Sequence, residues 1–139
     1  MAFSGERFSS EVTLSAEAVA AHALMAGDTN PLHHDQEYAK STRFGRRIAS
    51  GTHTTALLLG LTAKHFSEQA AMVGLEFWVR FRRAIFADEK IKIEWLVIRV
   101  ERNERLGGDV VDLRGRIKGQ DGLTAVGAKG RVLVMRGAL

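Results

Sequence analysis

An apolar helical segment that begins near Gly51 leaves few ways for the rest of this 139-residue chain to fold. Its apolar residues occur on nearly every side of the helix: Ala56, Leu57, Leu58, Leu59, Leu61 and Ala63. A helix without a polar face must be covered on most sides. Only its end, with Lys64, Ser67 and Glu68, carries the residues of a solvated surface. The remaining chain must therefore provide a large covering surface.

The second half of the chain has the pattern of that surface. Apolar and polar residues alternate in four segments, which predicts four consecutive strands at 75–82, 91–97, 111–117 and 126–134. Turn residues at 88–89, 107–108 and 119–122 separate the segments. Residues 15–69 instead indicate helices and a loop, so the prediction is an α+β fold in which an antiparallel sheet wraps around the central helix. No linker or repeat divides the chain, and we expect a single domain over residues 1–139.

Composition and charge narrow the class of protein. The absence of cysteine excludes disulfides and thiolate sites, and the formal net charge of +4 favours anionic partners. Nucleic acid is a weak candidate, because the basic residues are scattered along the chain. The longest stretch without charged residues, 48–63, is too short to cross a membrane. No export signal is visible at the N-terminus, where Glu6 and Arg7 interrupt any apolar run, so we expect a cytoplasmic protein.

The most polar stretch contains the only proline of the chain, Pro31. Proline fixes its own backbone and restricts the residue before it, so the loop Gly27–Asp35 has a defined shape. Such a turn can bring Asp28 and His33 together, and a carboxylate beside an imidazole can hold a water and exchange protons with it. No serine or cysteine has the setting of a nucleophile. The residues therefore favour water activation or proton transfer; the alternative is that Asp28 only caps the turn.

The string GDTNPLH, followed by a short helix, a Ser-Gly step and an apolar helix, resembles the motif of the MaoC-like, R-specific enoyl-CoA hydratase family. The resemblance covers roughly residues 20–63 and implies the hot-dog fold. It further implies that Asp28 and His33 activate water for addition to a trans-2-enoyl thioester, giving an R-3-hydroxyacyl thioester. Asn30 would orient the pair, and the Gly51 N–H would face the thioester oxygen, where negative charge develops.

The same resemblance implies a homodimer, coenzyme A or acyl carrier protein as part of the substrate, and no cofactor or metal. A metal site remains an alternative from the residues alone, in which His34, Asp35 and His53 join His33. The phosphates of coenzyme A have candidate partners in Arg80, Arg82 and Arg83, together with Arg43, Arg46 and Arg47; the alternative is a solvated strand face.

Two positions depart from the family pattern. The central helix starts with Ser50-Gly51 where members often have His-Gly, and residues 57–60 contain no serine. Two other functions compete: a hot-dog acyl-CoA thioesterase, which would need a carboxylate that the central helix lacks before Glu68, and a non-catalytic acyl-thioester-binding protein.

Overall fold

The computed structural model describes residues 1–135, so the last four residues of the expected domain lie outside it. Five antiparallel strands form one sheet around a central helix, which confirms the predicted α+β architecture. The helices are α1 (Ala16–Met25), α2 (Gln36–Lys40) and α3 (Gly51–Ser67), with a 3-10 turn at Pro31–His33. The strands are β1 (Arg7–Thr13), β2 (Ala71–Phe81), β3 (Lys90–Asn103), β4 (Gly108–Lys118) and β5 (Thr124–Met135).

Local side chains determine where the helices begin and end. Ser15, Asp35 and Ser50 precede α1, α2 and α3, and each accepts a hydrogen bond from a backbone N–H of the first turn, at 3.1, 3.1 and 3.2 Å. These bonds satisfy donors that have no partner within the helix. Gly27 follows the end of α1 with a φ of 79°, a conformation that glycine adopts without strain. The loop after α1 therefore starts in a defined direction.

The sheet has the order β1-β3-β4-β5-β2 and includes a strand that the sequence analysis missed. β1 pairs with β3 along its whole length, from Arg7 opposite Leu96 to Thr13 opposite Lys90. Its sequence, RFSSEVT, contains only two apolar residues, Phe8 and Val12, and its burial is slight. An edge strand needs little apolar pattern because its pairing comes from backbone bonds to a distant segment.

The inner face of the sheet packs on one side of α3. That side buries His53, Thr54, Leu58, Thr62 and Phe66. The indole N–H of Trp95, on β3, donates to the carbonyl of Leu58 at 3.0 Å. The expectation that most of α3 is covered holds only in part, since Ala56, Gly60 and Ala63 are exposed on the opposite side. One sheet can cover only the side of a helix that faces it.

Glycine at position 115 makes room for the largest buried side chain. A Cβ at Gly115 would lie 2.5 Å from the Trp95 ring. We expect Gly115→Ala to lower the free energy of unfolding by about 1–3 kcal/mol, because the buried indole must shift. Gly127, on the outer face of β5, has only an ordinary contact at 3.8 Å and is the matched control, so Gly127→Ala should leave stability unchanged or slightly higher. Urea unfolding of both variants measures this, and equal stabilities would contradict it.

Within the described residues, no helix combines the length and apolar character needed to cross a membrane.

Candidate active site

The loop between α1 and α2 is held in shape by its own backbone. The N–H of Asp28 donates to the carbonyl of Ala23 at 2.8 Å, which anchors the loop to the last turn of α1. The N–H of Asn30 donates to Asp28 Oδ1 at 3.0 Å, and the Asn30 side chain accepts from the N–H of Leu32 at 3.1 Å. The Asn30 side chain therefore caps the 3-10 turn that starts at Pro31, whereas the hydrogen bond to the Asp28 carboxylate comes from the Asn30 backbone.

Asp28 and His33 lie in contact, as the spacing predicts. His33 Nε2 is 3.2 Å from Asp28 Oδ2; the imidazole is buried, whereas a third of the aspartate side chain is exposed. His33 Nδ1 is 2.8 Å from the carbonyl oxygen of Ile48, which can only accept, so Nδ1 carries a proton. The neutral ring then presents an unprotonated Nε2 to the carboxylate. The two groups can share one proton, which suits acid/base catalysis on a water that hydrogen-bonds to both of them.

Arg47 holds this loop against α1, a role that the sequence analysis did not find. Its Nε donates to the carbonyl of His33 at 3.2 Å, and its terminal Nη2 donates to the carbonyl of Ala16 at 2.6 Å. The sequence gives no local signal for this, since the partners lie 14 and 31 residues away. Arg47 therefore has structural partners, although it was considered as a ligand of coenzyme A phosphates.

The residues of the alternative metal site do not converge. The His34 ring donates to the carbonyl of Asp28 at 2.9 Å, and Asp35 caps α2. The ring of His53 stacks on His22, with centroids 4.3 Å apart. Among residues 1–135, no three histidine, aspartate or glutamate side chains are arranged to hold a metal ion.

Gly51 is the first residue of α3 and lines a cavity of about 580 Å³. Its N–H has no backbone or side-chain acceptor within the described chain, as expected for the first turn of a helix. The Phe81 ring covers this point, because a Cβ at Gly51 would lie 2.9 Å from it. Ile48 also lines the cavity, and its carbonyl is the one that holds His33. Asp28 and His33 do not line this cavity themselves; the Ile48 carbonyl links them to it, while the N-terminus of α3, where positive potential favours an oxyanion, opens into it.

The structure separates the candidate phosphate-binding arginines. Arg82 and Arg83 line the Gly51 cavity together with Arg43. Arg83 also forms an exposed ion pair with Asp121 at 2.8 Å. Arg80 does not line this cavity; it lies next to Trp78 in a concavity on the outer face of the sheet, which Arg82 also borders.

His53 has a buried Nδ1 without a hydrogen-bond partner among residues 1–135. Burial, and secondarily the charge of His22, lowers the pKa of His53 below its ordinary value of 6.5. The folded state therefore binds fewer protons than the unfolded state, and stability should fall as the pH drops below about 6.5. We expect His53→Phe to lose less stability than the wild type between about pH 7.5 and pH 5. Urea unfolding at both pH values measures this; parallel pH profiles would contradict it.

The sheet wrapped around α3 defines the structural class, since the chain has the hot-dog fold of its structural neighbours. The chain belongs to the MaoC-like domain family, whose model matches residues 4–113. Membership of this dehydratase family, together with the likeness to R-hydratases, supports hydratase or dehydratase activity of the hydro-lyase type. No curated protein gives a significant sequence match.

Three solved structures illustrate the likeness. An (R)-hydratase from A. caviae involved in PHA biosynthesis is 26% identical, with a TM-score of 0.87 over 96% of this chain and 97% of that one. R-hydratase PhaJ1 from Pseudomonas aeruginosa is 23% identical, with a TM-score of 0.88 over 99% and 85%. The HadBC complex from Mycobacterium tuberculosis, a 3R-hydroxyacyl-ACP dehydratase, is 18% identical, with a TM-score of 0.78 over 96% and 98%. The last two show the fold alone.

Proposed function

We propose that the protein catalyses the reversible addition of water to a trans-2-enoyl thioester, giving an R-3-hydroxyacyl thioester. The observation that carries this proposal is the contact between Asp28 and His33 on a rigid loop, at 3.2 Å. Its setting supports the same reaction, since the Ile48 carbonyl that holds His33 links the pair to the cavity lined by Gly51, whose N–H has no acceptor among residues 1–135. The 26% identical neighbour is itself described as an (R)-hydratase.

The reaction needs one water and no redox partner. The water hydrogen-bonds to both Asp28 Oδ2 and His33 Nε2 from the side, and the pair removes one of its protons as the oxygen bonds to the β-carbon. The electrons of the carbon–carbon double bond move to the thioester oxygen, which the Gly51 N–H stabilises as an enolate. The pair then delivers a proton to the α-carbon on the same face. The product contains every atom of the water, and the pair returns to its starting state.

The substrate itself brings the only coenzyme that this proposal requires, as coenzyme A or a carrier protein. Arg43, Arg82 and Arg83 surround the cavity mouth and are the proposed partners of its phosphates. Guanidinium groups suit this task because they form paired, charge-assisted hydrogen bonds to phosphate oxygens.

A homodimer is the proposed assembly. β2 is at the edge of the sheet, so one side of its backbone has no strand partner among the described residues. It also exposes two large apolar side chains that do not belong to the outer face of the sheet described below: Leu75 and Phe81. An open, apolar edge strand pairs readily with another copy. Sedimentation equilibrium should give twice the chain mass, and a monomer at micromolar concentration would contradict this.

The proposed function is tested with crotonyl-CoA and a longer trans-2-enoyl-CoA. Loss of the absorbance of the conjugated thioester reports hydration, and a thiol reagent in the same cuvette reports hydrolysis. We expect loss of absorbance without release of thiol. Release of free thiol would assign the protein to the thioesterases. If a panel of enoyl thioesters gave neither loss of absorbance nor free thiol, the protein would be a non-catalytic acyl-thioester-binding protein.

A further inference from the structure

A row of cationic side chains crosses the outer face of the sheet, opposite the face that packs on α3. The pairing register aligns one residue from each strand: Arg7, Leu96, Arg114, Lys129 and Trp78. The next row places Arg116 and Arg80 on either side of Gly127. We define the outer cationic face by its charged residues and one aromatic residue: Arg7, Arg80, Arg82, Arg114, Arg116, Lys129 and Trp78. All seven are exposed, and they line one concavity of about 500 Å³.

Most charges of this face have no internal counterion. Five of its six cations have no carboxylate within 4 Å among residues 1–135: Arg7, Arg80, Arg82, Arg114 and Lys129. Arg114 and Lys129 lie directly opposite each other on neighbouring strands. Like charges in that position destabilise a sheet. On β5, two residues beyond Lys129, Arg131 does form an ion pair with Asp112, at 2.7 Å. The missing counterions are therefore a feature of this face and not of the whole strand.

The one carboxylate in this concavity is already saturated. Glu94 contacts Arg116 at 2.8 Å, and Lys92 and Lys118 at 3.3 and 3.4 Å. The hydrogen bond from Arg116, with those from the two lysines, lowers the pKa of Glu94 to about 2. The remaining cations are therefore available to an external anion.

The outer cationic face adjoins the cavity at Gly51. Arg82 lines both the outer concavity and the cavity at Gly51. An anionic partner bound on the outer face therefore lies next to the mouth through which the thioester must enter.

Size and composition select among possible partners. The row spans all five strands, roughly 19 Å at about 4.8 Å per strand, which is wider than the phosphates of one coenzyme A. A second copy of the same face would be repelled by its charge. Single-stranded nucleic acid uses several stacking aromatics, whereas this face exposes only Trp78. Tryptophan and arginine are the residues that most often anchor protein partners.

We propose that the outer cationic face docks an acidic carrier protein, which delivers the acyl thioester to the site on a phosphopantetheine arm. This inference rests on the proposed function and identifies the form of its substrate. The carrier contributes the carboxylates that Arg7, Arg114 and Lys129 lack within the described chain, while its flexible arm passes Arg82 into the Gly51 cavity.

The test compares two substrates and two variants of equal net charge. The substrates are crotonyl-CoA and the same acyl group on an acyl carrier protein of type II fatty acid synthesis. The first variant reverses two charges of the outer cationic face through the substitutions Arg114→Glu and Lys129→Glu. The control reverses Lys64→Glu and Arg105→Glu, two exposed cations outside the face and without an ion pair in residues 1–135. We expect the first variant to lose about tenfold or more in kcat/KM with the carrier thioester, with less than about a twofold change with crotonyl-CoA. The control should match the wild type.

Binding of fluorescently labelled holo carrier protein, measured by anisotropy, separates the possible failures. Binding should weaken between about 50 and 200 mM salt and be lost only in the first variant. If crotonyl-CoA is hydrated but the carrier neither binds nor reacts, the docking inference is wrong and the proposed function stands. If neither thioester reacts but the carrier binds only through the outer cationic face, the proposed function fails and docking stands. If both variants lost carrier binding and kcat/KM equally, net charge would explain the effect, and the inference would be overturned.

Discussion

Asp28→Asn should lower kcat for hydration of an enoyl thioester by about 10²–10⁴-fold with little change in KM, because the amide cannot accept the proton of water. The substitution keeps the shape of the side chain and an oxygen that can accept from the Asn30 N–H. His33→Gln should have a similar effect, since it removes Nε2. Because the two groups act on one water, the double variant should have about the same kcat as the slower of the two single variants.

Asp35→Asn is the matched control for this prediction. Asp35 lies seven positions beyond Asp28 in the same polar segment, but its carboxylate only accepts from the Tyr38 N–H at the start of α2. Asparagine caps a helix as well as aspartate does, so activity and stability should persist. The absorbance assay, with circular dichroism to verify folding, measures all four variants. Substantial activity in Asp28→Asn, or an equal loss in Asp35→Asn, would remove Asp28 from the mechanism.

Gly51→Pro should lower kcat by about 10²–10³-fold, the usual cost of removing one donor from an oxyanion site. Proline deletes the N–H proposed to face the thioester oxygen. Position 51 is the first residue of α3, where proline is well tolerated because that N–H has no helical partner. The preceding Ser50 has an extended backbone, with φ −70° and ψ 153°, as a residue before proline requires.

Gly51→Ala isolates the N–H from the effect of added bulk. Both substitutions place a Cβ about where it would meet the Phe81 ring, 2.9 Å away, and this exposed ring can shift. Only proline removes the donor. Alanine should therefore retain most of kcat, and kinetics with crotonyl-CoA compare the two. A similar loss in both variants would assign the effect to Phe81 and contradict the oxyanion role.

The features that sequence analysis predicted correctly depend on short-range interactions. Ser15, Asp35 and Ser50 cap helices through bonds to residues three positions away, and Gly27 ends α1 by its own backbone freedom. The Asp28–His33 contact spans five residues around a stiff proline turn. Strands β3 to β5 alternate because one face of each is buried, and one face of β2 is partly buried, so this pattern is visible in each strand alone.

Long-range pairing decided the rest. β1 has too little apolar pattern to be recognised without β3, and Arg47 shows its role only when the loop lies against α1. The basic residues are scattered in the chain, yet strand register brings Arg7, Arg114 and Lys129 into one row. The sequence by itself therefore determined the caps, the turn that joins Asp28 to His33 and the alternation of the strands, since each depends on neighbours a few residues away. The tertiary structure alone decided which distant side chains share a face, because that depends on register between segments far apart in the chain.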